Sequence, residues 1–383
     1  MPKGYAIADT KKWTDFKVID FDLKTPEDDD VDVDIQFCGV CGSDVHTISG
    51  GWGELSVPAV IPGHEIVGKV TKVGKNVKGI EVGQRVGVGA QVGSCGTCNP
   101  CKTDHENYCI GDGKKGMVDT YNSLYPDGKA AQGGYSTAIR AHQQFVFPIP
   151  DAITSEDAAS MLWCAFCSFS LPSPFFRDLT DLLVSYSGGL TVFAPLNRNG
   201  CGPGKKVAVV GLGGLGHYAV LFAVAMGAEV TVISHSPKKK EDAFKMGAKH
   251  FVATGEDKEW YTRYGRELTP FDIIISTASS NAVDLKSVMH TLQTYGSCVY
   301  VGMPEDHFEV RAQTLAFNGC NLQGSHIGSK KEALKMLDLA AEKNVKPWIE
   351  VMDMKECAKA VARVHSNDIR YRFVLKQDLE PVA

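Results

Sequence analysis

No stretch of this 383-residue chain approaches the ~20 consecutive apolar residues that a membrane-spanning helix requires. The most apolar run, near Met161–Leu171, is short and broken by serines. The opening MPKGYAIADTKKW has charges but no apolar core of the kind a secretory signal carries. Positive charge is not in excess either. Forty Lys and Arg face 45 Asp and Glu, a net charge of −5, which offers no basic face to nucleic acid or anionic lipid. Internal repeats and low-complexity tracts are also lacking. These absences leave an expected cytoplasmic, soluble protein whose partner is a small molecule, with neither a membrane nor a nucleic acid. The length suffices for two domains with separate cores.

Cysteine is plentiful, with 12 in the chain. Without a secretion signal, that number reads as metal binding in a reducing compartment rather than as disulfides. The spacing Cys95-x2-Cys98-x2-Cys101-x7-Cys109 puts four thiols in one loop. Four thiolates close a tetrahedron around Zn(II) and leave no open position, so this site is expected to be structural. A second constellation runs Cys38-Gly-Val-Cys41-Gly-Ser43-Asp44-Val-His46 and then Gly63-His64-Glu65. Taken singly, Cys41 reads as a small buried hydrophobe and His64 as a satisfied core histidine. Together they read as two ligands of a second zinc, with Glu65 beside it. A catalytic zinc takes three protein ligands and keeps a fourth position open.

Short alternating runs punctuated by glycine fill the first half, as in VDVDIQFCGV and HEIVGKVTKVG, and predict strands and turns. The character changes near Gly200. Six short apolar runs (KKVAVVG, EVTVIS, HFVAT, FDIIISTAS, SCVYVGM and NLQGSHIG) with intervening helical patterns predict a doubly wound parallel sheet. Gly211-Leu212-Gly213-Gly214-Leu215-Gly216 follows the first of these and opens a helix, the context in which G-x-G-x-x-G binds a dinucleotide pyrophosphate. At the end of the second strand an NAD site places Asp or Glu for the ribose 2′-hydroxyl. This chain has Ser234 there, then His235, Ser236, Pro237, Lys238 and Lys239. A carboxylate repels a 2′-phosphate, whereas hydroxyls and ammonium groups hold one, so NADP(H) is the expected cofactor. The plainer alternative is a solvated basic helix start. After Ser329, the helical pattern KKEALKMLDLAAEKN leads away from this sheet, and the tail ends in the strand-like RYRFVLK.

The segments CGVCGSDVH, IPGHEIVGKV, VGQRVGVGAQVGSC, GGLTVFAPLNRNGCGPGKKVAVVGLGGLG and NDIRYRFVL resemble the medium-chain zinc alcohol dehydrogenases, and within them the cinnamyl-alcohol-dehydrogenase-type, NADP-dependent branch of plants and yeasts. The resemblance spans nearly the whole chain. It implies a GroES-like catalytic domain over 1–190, a Rossmann domain over 191–328 and a segment 329–383 that returns to the catalytic domain. It further implies a homodimer, one catalytic and one structural zinc, and reversible reduction of aldehydes with broad specificity. By this resemblance Cys41, His64 and a third Cys hold the catalytic zinc, Ser43 and His46 form its proton relay, Asp44 supports the ligands, and Ser234 to Lys239 bind the 2′-phosphate. Trp52 reads either as a wall of the substrate pocket or as an ordinary packed aromatic.

One segment departs from the pattern. Where the family resembles Met-Leu-Cys-Gly-Gly-Leu-Thr, this chain reads Met161-Leu162, then residues 163–187, then Gly188-Gly189-Leu190-Thr191. Twenty-five residues without a period of 2 or 3.6 stand where one Cys is expected. A retained intron explains them. The TGG codon of Trp163 followed by the TG of Cys164 supplies a GT donor. The TAY of Tyr186 followed by an AGY codon for Ser187 supplies a YAG acceptor. Joining TG to Y restores a Cys codon and keeps the frame. The alternative is a genuine loop in which Cys164 or Cys167 replaces the missing ligand, Cys164 being the nearest candidate. Two other functions stay open at this point: an NAD-type polyol or formaldehyde dehydrogenase, and an NADPH-binding protein whose catalytic zinc site the insert has disrupted.

Overall fold

The computed structural model describes residues 1–161, 188–264, 268–278, 284–302 and 309–379. The insert at 163–187, and Cys164 with it, lies outside the described residues. The chain divides into two compact units. One takes the described residues up to Met161, Ile327–Asn344 and the chain from Trp348 onward; the other takes 188–326 and Val345–Pro347.

The first unit is built on a seven-stranded sheet. Its central strand, Asp30–Val40, alternates buried Val31, Val33 and Ile35 with the more exposed Asp32 and Asp34, the period of a strand with one face in a core. It pairs antiparallel with Glu65–Val73, Ala138–His142 and Arg372–Lys376. The last of these belongs to the far end of the sequence and sets Phe373 opposite Val40 and Leu375 opposite Cys38. Beneath the sheet, Ile66, Val70, Val86 and Val88 pack with Ala360, Val361 and Val364 of the helix Cys357–His365.

The second unit holds a six-stranded parallel sheet in the order His250–Ala253, Glu229–Ser234, Lys206–Val210, Phe271–Ser276, Leu292–Tyr300 and Asn321–Gly324. Counted along the chain, this is the 3-2-1-4-5-6 order of the Rossmann fold, which reverses direction beside Lys206–Val210. Strands covered on both faces must be apolar throughout, and Val207–Val210 and Ile273–Ile275 are buried without interruption. The helix Gly214–Ala225 covers one face. Its Phe222 meets Phe193 of the helix Gly189–Arg198 edge-on, with ring centroids 5.6 Å apart.

Asp272 ties the N-terminal ends of two neighbouring strands. It accepts from Lys205 Nζ at 2.8 Å and from the Lys206 backbone N–H at 2.8 Å, and also from Gln293 Nε2. Burial works to raise its pKa, but the Lys205 ammonium and these donors together hold the carboxyl below its ordinary value. A depressed native pKa contributes stability above the unfolded value of ~3.9, and that contribution is lost as pH falls through the native value. Asp272→Ala is therefore expected to cost about 2 kcal/mol at pH 7 and progressively less toward pH 3. Urea unfolding of both proteins across that range reads the difference, and a constant gap would contradict it.

Candidate active site

Cys41 directly follows the central strand and caps the helix Gly42–Ser49. Its Sγ accepts the Ser43 N–H at 3.4 Å. His64 lies 23 positions later, at the start of the next strand. The pairing of Gly39 with Glu65 and Cys38 with Ile66 folds the two segments together. The ligand atoms of Cys41, His64 and Glu65 then lie within 4.8 Å of one another, all buried.

One carboxylate organises this cluster. Asp44 Oδ1 accepts His64 Nδ1–H at 3.0 Å and the Gly63 N–H at 3.1 Å. Its Oδ2 accepts the Cys41 N–H at 3.0 Å and the Tyr135 hydroxyl at 3.3 Å. Burial would raise the Asp44 pKa, yet His64 and these donors hold it below the ordinary carboxylate value. Burial would likewise depress His64, and the Asp44 carboxylate outweighs that and carries it well above the ordinary histidine value. The fully buried imidazole is shared between the Asp44 carboxylate, 3.0 Å from Nδ1, and the Cys41 side chain. A metal ion can take the place of the thiol contact, and a histidine anchored through Nδ1 on a carboxylate is the usual arrangement of a metal-bound imidazole.

Glu65 is held from behind. Its Oε1 accepts from Arg372 Nη2, both residues being buried, while Oε2 finds no hydrogen-bond partner among the described residues. Burial raises the Glu65 pKa, and Arg372 opposes the rise. Gly39 is required here, because a Cβ on it would sit 1.8 Å from Glu65 Oε2. Ser43 and His46, on the same helix as Asp44, are buried beside this cluster in sequence. Tyr135 and Arg372 belong to the site without any local sequence signal. A tyrosine and an arginine far along the chain look like ordinary surface or core residues until the sheet register is known.

The four cysteines of the loop also converge. Their sulfurs lie 3.9 Å apart for Cys95–Cys101, 3.4 Å for Cys98–Cys101, 4.0 Å for Cys98–Cys109 and 3.5 Å for Cys95–Cys109. A tetrahedron with Zn–S bonds of ~2.3 Å has edges of ~3.8 Å, so the donor set fits zinc. Burial tends to raise the Cys95 pKa, but the N–H groups of Thr97 and Cys98 bring it down to about 6, while burial and the Cys98 thiol push Cys101 up to about 12. Sulfurs this close cannot all ionise unless a cation compensates them. Glu106, between Cys101 and Cys109, accepts the Lys330 N–H at 2.6 Å and thereby joins the loop to the start of the helix Lys330–Glu342.

In the second unit, Gly211 turns the chain at φ +88 directly after Lys206–Val210. A Cβ on Gly216 would meet Gly211 O at 1.9 Å, so the helix–turn approach demands glycine there. Gly213 begins the helix Gly214–Ala225 with no side-chain cap, leaving the first turn to backbone N–H groups. Leu212 and Leu215 are buried beneath the turn. Ser234 ends the second strand. Lys239, in the short Pro237–Lys239 turn, donates from Nζ to Leu212 O at 2.8 Å and so places an ammonium against the glycine turn. Ser236 is half-buried and Lys238 exposed, and no carboxylate occupies the 234–240 stretch.

Residues 27–151 match the model of the alcohol dehydrogenase GroES-like domain, and residues 214–342 that of the zinc-binding dehydrogenases. The chain is 42% identical over 377 residues to the NADP-dependent alcohol dehydrogenase 6 of Saccharomyces cerevisiae, covering 97% of this chain and 96% of the yeast protein. Among solved structures, it is similar to a cinnamyl alcohol dehydrogenase of Sorghum bicolor, with a TM-score of 0.84, 34% identity and full coverage of both chains. It is also similar to the cinnamyl alcohol dehydrogenase of Helicobacter pylori in complex with NADP(H), with a TM-score of 0.81, 33% identity and coverage of 98% and 97%.

Proposed function

We propose, for a chain that belongs to the zinc-binding alcohol dehydrogenase family, that it interconverts primary alcohols and aldehydes with NADP(H), in the manner of the cinnamyl-alcohol-dehydrogenase branch. The observation that carries this reading is the Cys41–Asp44–His64 constellation, in which one buried carboxylate presets both a thiol and an imidazole for a metal. When bound, zinc supplies Lewis acidity toward a substrate oxygen, and NADPH supplies the hydride.

The remaining work falls to the chain itself. Cys41 and His64 hold the metal, with Glu65 behind them on Arg372. Asp44 fixes the His64 tautomer. Ser43 and His46, one helical turn apart, carry the hydroxyl proton away from the substrate oxygen. Gly211 to Gly216 cradle the pyrophosphate, while Ser234, Ser236, Lys238 and Lys239 receive the 2′-phosphate. Cys95, Cys98, Cys101 and Cys109 hold the structural zinc. Oxidation of NADPH with cinnamaldehyde tests the assignment, run on this chain and on a form whose residues 163–187 are replaced by one cysteine. Inactivity of the shortened form toward every aldehyde would sink it.

Cofactor choice is testable on its own. Ser234→Asp places a carboxylate where the 2′-phosphate sits. It is expected to weaken NADPH binding about 100-fold while changing NADH binding little or improving it. Fluorescence titration with both cofactors reads this, and equal losses for both would contradict it.

The proposed assembly is a homodimer. Among the described residues, the strand Asn321–Gly324 has no neighbour beyond it in its sheet, and near it Tyr295 and Phe317 are 79% and 92% exposed, a surface suited to a second copy. No helix among the described residues is long and apolar enough to cross a membrane. The proposed location is the cytoplasm, where the thiol-rich loop stays reduced.

A further inference from the structure

Directly after the helix that carries Asp44 and His46, the chain turns back through Gly50-Gly51-Trp52-Gly53. Gly50 ends the helix in the left-handed region at φ +79, and Gly53 takes φ +105 and donates its N–H to Gly50 O at 3.0 Å. The N–H of Gly51 donates to His46 O at 2.9 Å. A Cβ on Gly51 would stand 3.0 Å from His46 Nδ1, so a larger residue there would press on the imidazole. This hook lays the half-buried Trp52 indole flat on the buried His46 ring. The centroids are 5.1 Å apart and the planes 16° from parallel.

We propose that Trp52 is a positioning residue for proton transfer: it fixes the plane of the His46 imidazole, and with it the directions of the two ring nitrogens. The inference rests on the reading of His46 as the relay histidine. The χ2 torsion of histidine is broad, so the ring of an unsupported side chain swings through many orientations. A relay needs a ring nitrogen within hydrogen-bond reach of the group it serves, and misorientation costs rate directly. A hydrogen bond at the nitrogen that exchanges the proton holds an imidazole in only one protonation state, since that nitrogen accepts when neutral and donates when protonated. A stacked indole holds both. It packs against the neutral ring as an aromatic pair and against the protonated ring through its negative face. That property suits a residue that gains and loses a proton in each turnover.

A double-mutant cycle tests the coupling. Trp52→Leu is expected to lower kcat for alcohol oxidation about tenfold with the KM for NADP unchanged, and Trp52→Phe to recover most of the loss. In a His46→Gln background, Trp52→Leu should cost nothing further. If it still costs tenfold there, Trp52 acts on the substrate and not on His46, and the inference is overturned. A His46→Gln protein with unchanged kcat would instead overturn the relay reading beneath it. An independent readout needs no activity and serves the chain with or without its insert. The imidazole C–H resonances lost in His46→Gln should lie upfield through the indole ring current and move downfield in Trp52→Leu. Resonances that stay in place would overturn the stacking.

Discussion

Replacing residues 163–187 with a single cysteine is expected to raise bound zinc from one to two ions per chain. Aldehyde reduction should rise at least about 1,000-fold, since a catalytic metal is worth several kcal/mol of transition-state stabilisation. Among the described residues, the catalytic cluster supplies a thiol, an imidazole and the Glu65 carboxylate, and Glu65 is already engaged by Arg372. Two firm ligands fall short of the three that hold a catalytic zinc. The missing one belongs where Met161-Leu162 would run through a cysteine into Gly188-Gly189-Leu190-Thr191. The helices Ser155–Met161 and Gly189–Arg198 border that point, and their residues next to it are buried. A 25-residue loop beginning and ending at such positions needs a core of its own. Zinc analysis by mass spectrometry, with activity measured on both forms, checks the expectation. A transcript containing the insert, together with two zincs and full activity in the longer chain, would overturn it. In that event Cys164→Ser should remove one of the two zincs.

Asp44→Asn is expected to have the next largest effect. The variant should hold the catalytic zinc 10- to 100-fold more weakly, the usual consequence of removing a carboxylate behind a ligating histidine, and lose about 3 kcal/mol of stability or more. Asp44 is fully buried and accepts from the N–H groups of Cys41 and Gly63, from His64 Nδ1–H and from the Tyr135 hydroxyl. An amide keeps one accepting oxygen and turns a second set of donors toward groups that are themselves donors. The Cys41 cap and the His64 tautomer then loosen together, although neither ligand has been touched. Competition with a chelator reads zinc affinity in the shortened, zinc-competent form, and denaturant unfolding reads stability. Tyr135→Phe serves as the control, since it removes a single donor to Asp44 and should cost only about 1 kcal/mol without releasing metal. An Asp44→Asn protein that retains zinc as tightly as its parent would show that Asp44 does not organise the site.

Local spacing made much of this protein legible. Cys95, Cys98, Cys101 and Cys109 lie within one loop, so their convergence depends on a few turns of backbone that Gly96 and Pro100 already constrain. The turn from Gly211 to Gly216 and the absence of a carboxylate at Ser234 are of the same kind. Alternating runs marked the strands and turns of the first half and continuous apolar runs the parallel sheet of the second, because burial on one face or two leaves a different period in the chain. Trp52 could be read as pocket wall or as core, and its neighbour only becomes visible in the hook of three glycines that stacks it on His46.

Partners far apart in sequence were decided by the tertiary structure. The antiparallel register of Asp30–Val40 with Glu65–Val73 brings Cys41 to His64, and a slip of one residue would turn every side chain to the other face. Tyr135 reaches Asp44 across 91 positions, and Arg372 reaches Glu65 across 307, through a C-terminal strand that pairs beside the central one. RYRFVLK is readable as a strand from its own pattern, but the sheet it joins is a property of the packed whole. Amino-acid order by itself determined which chemistry is present: thiols and imidazoles for zinc, and a glycine turn with hydroxyls and ammonium groups for a phosphorylated dinucleotide. Only the packed sheet determined which of those groups stand within bonding distance, because hydrogen-bond register and burial are set by contacts between distant segments.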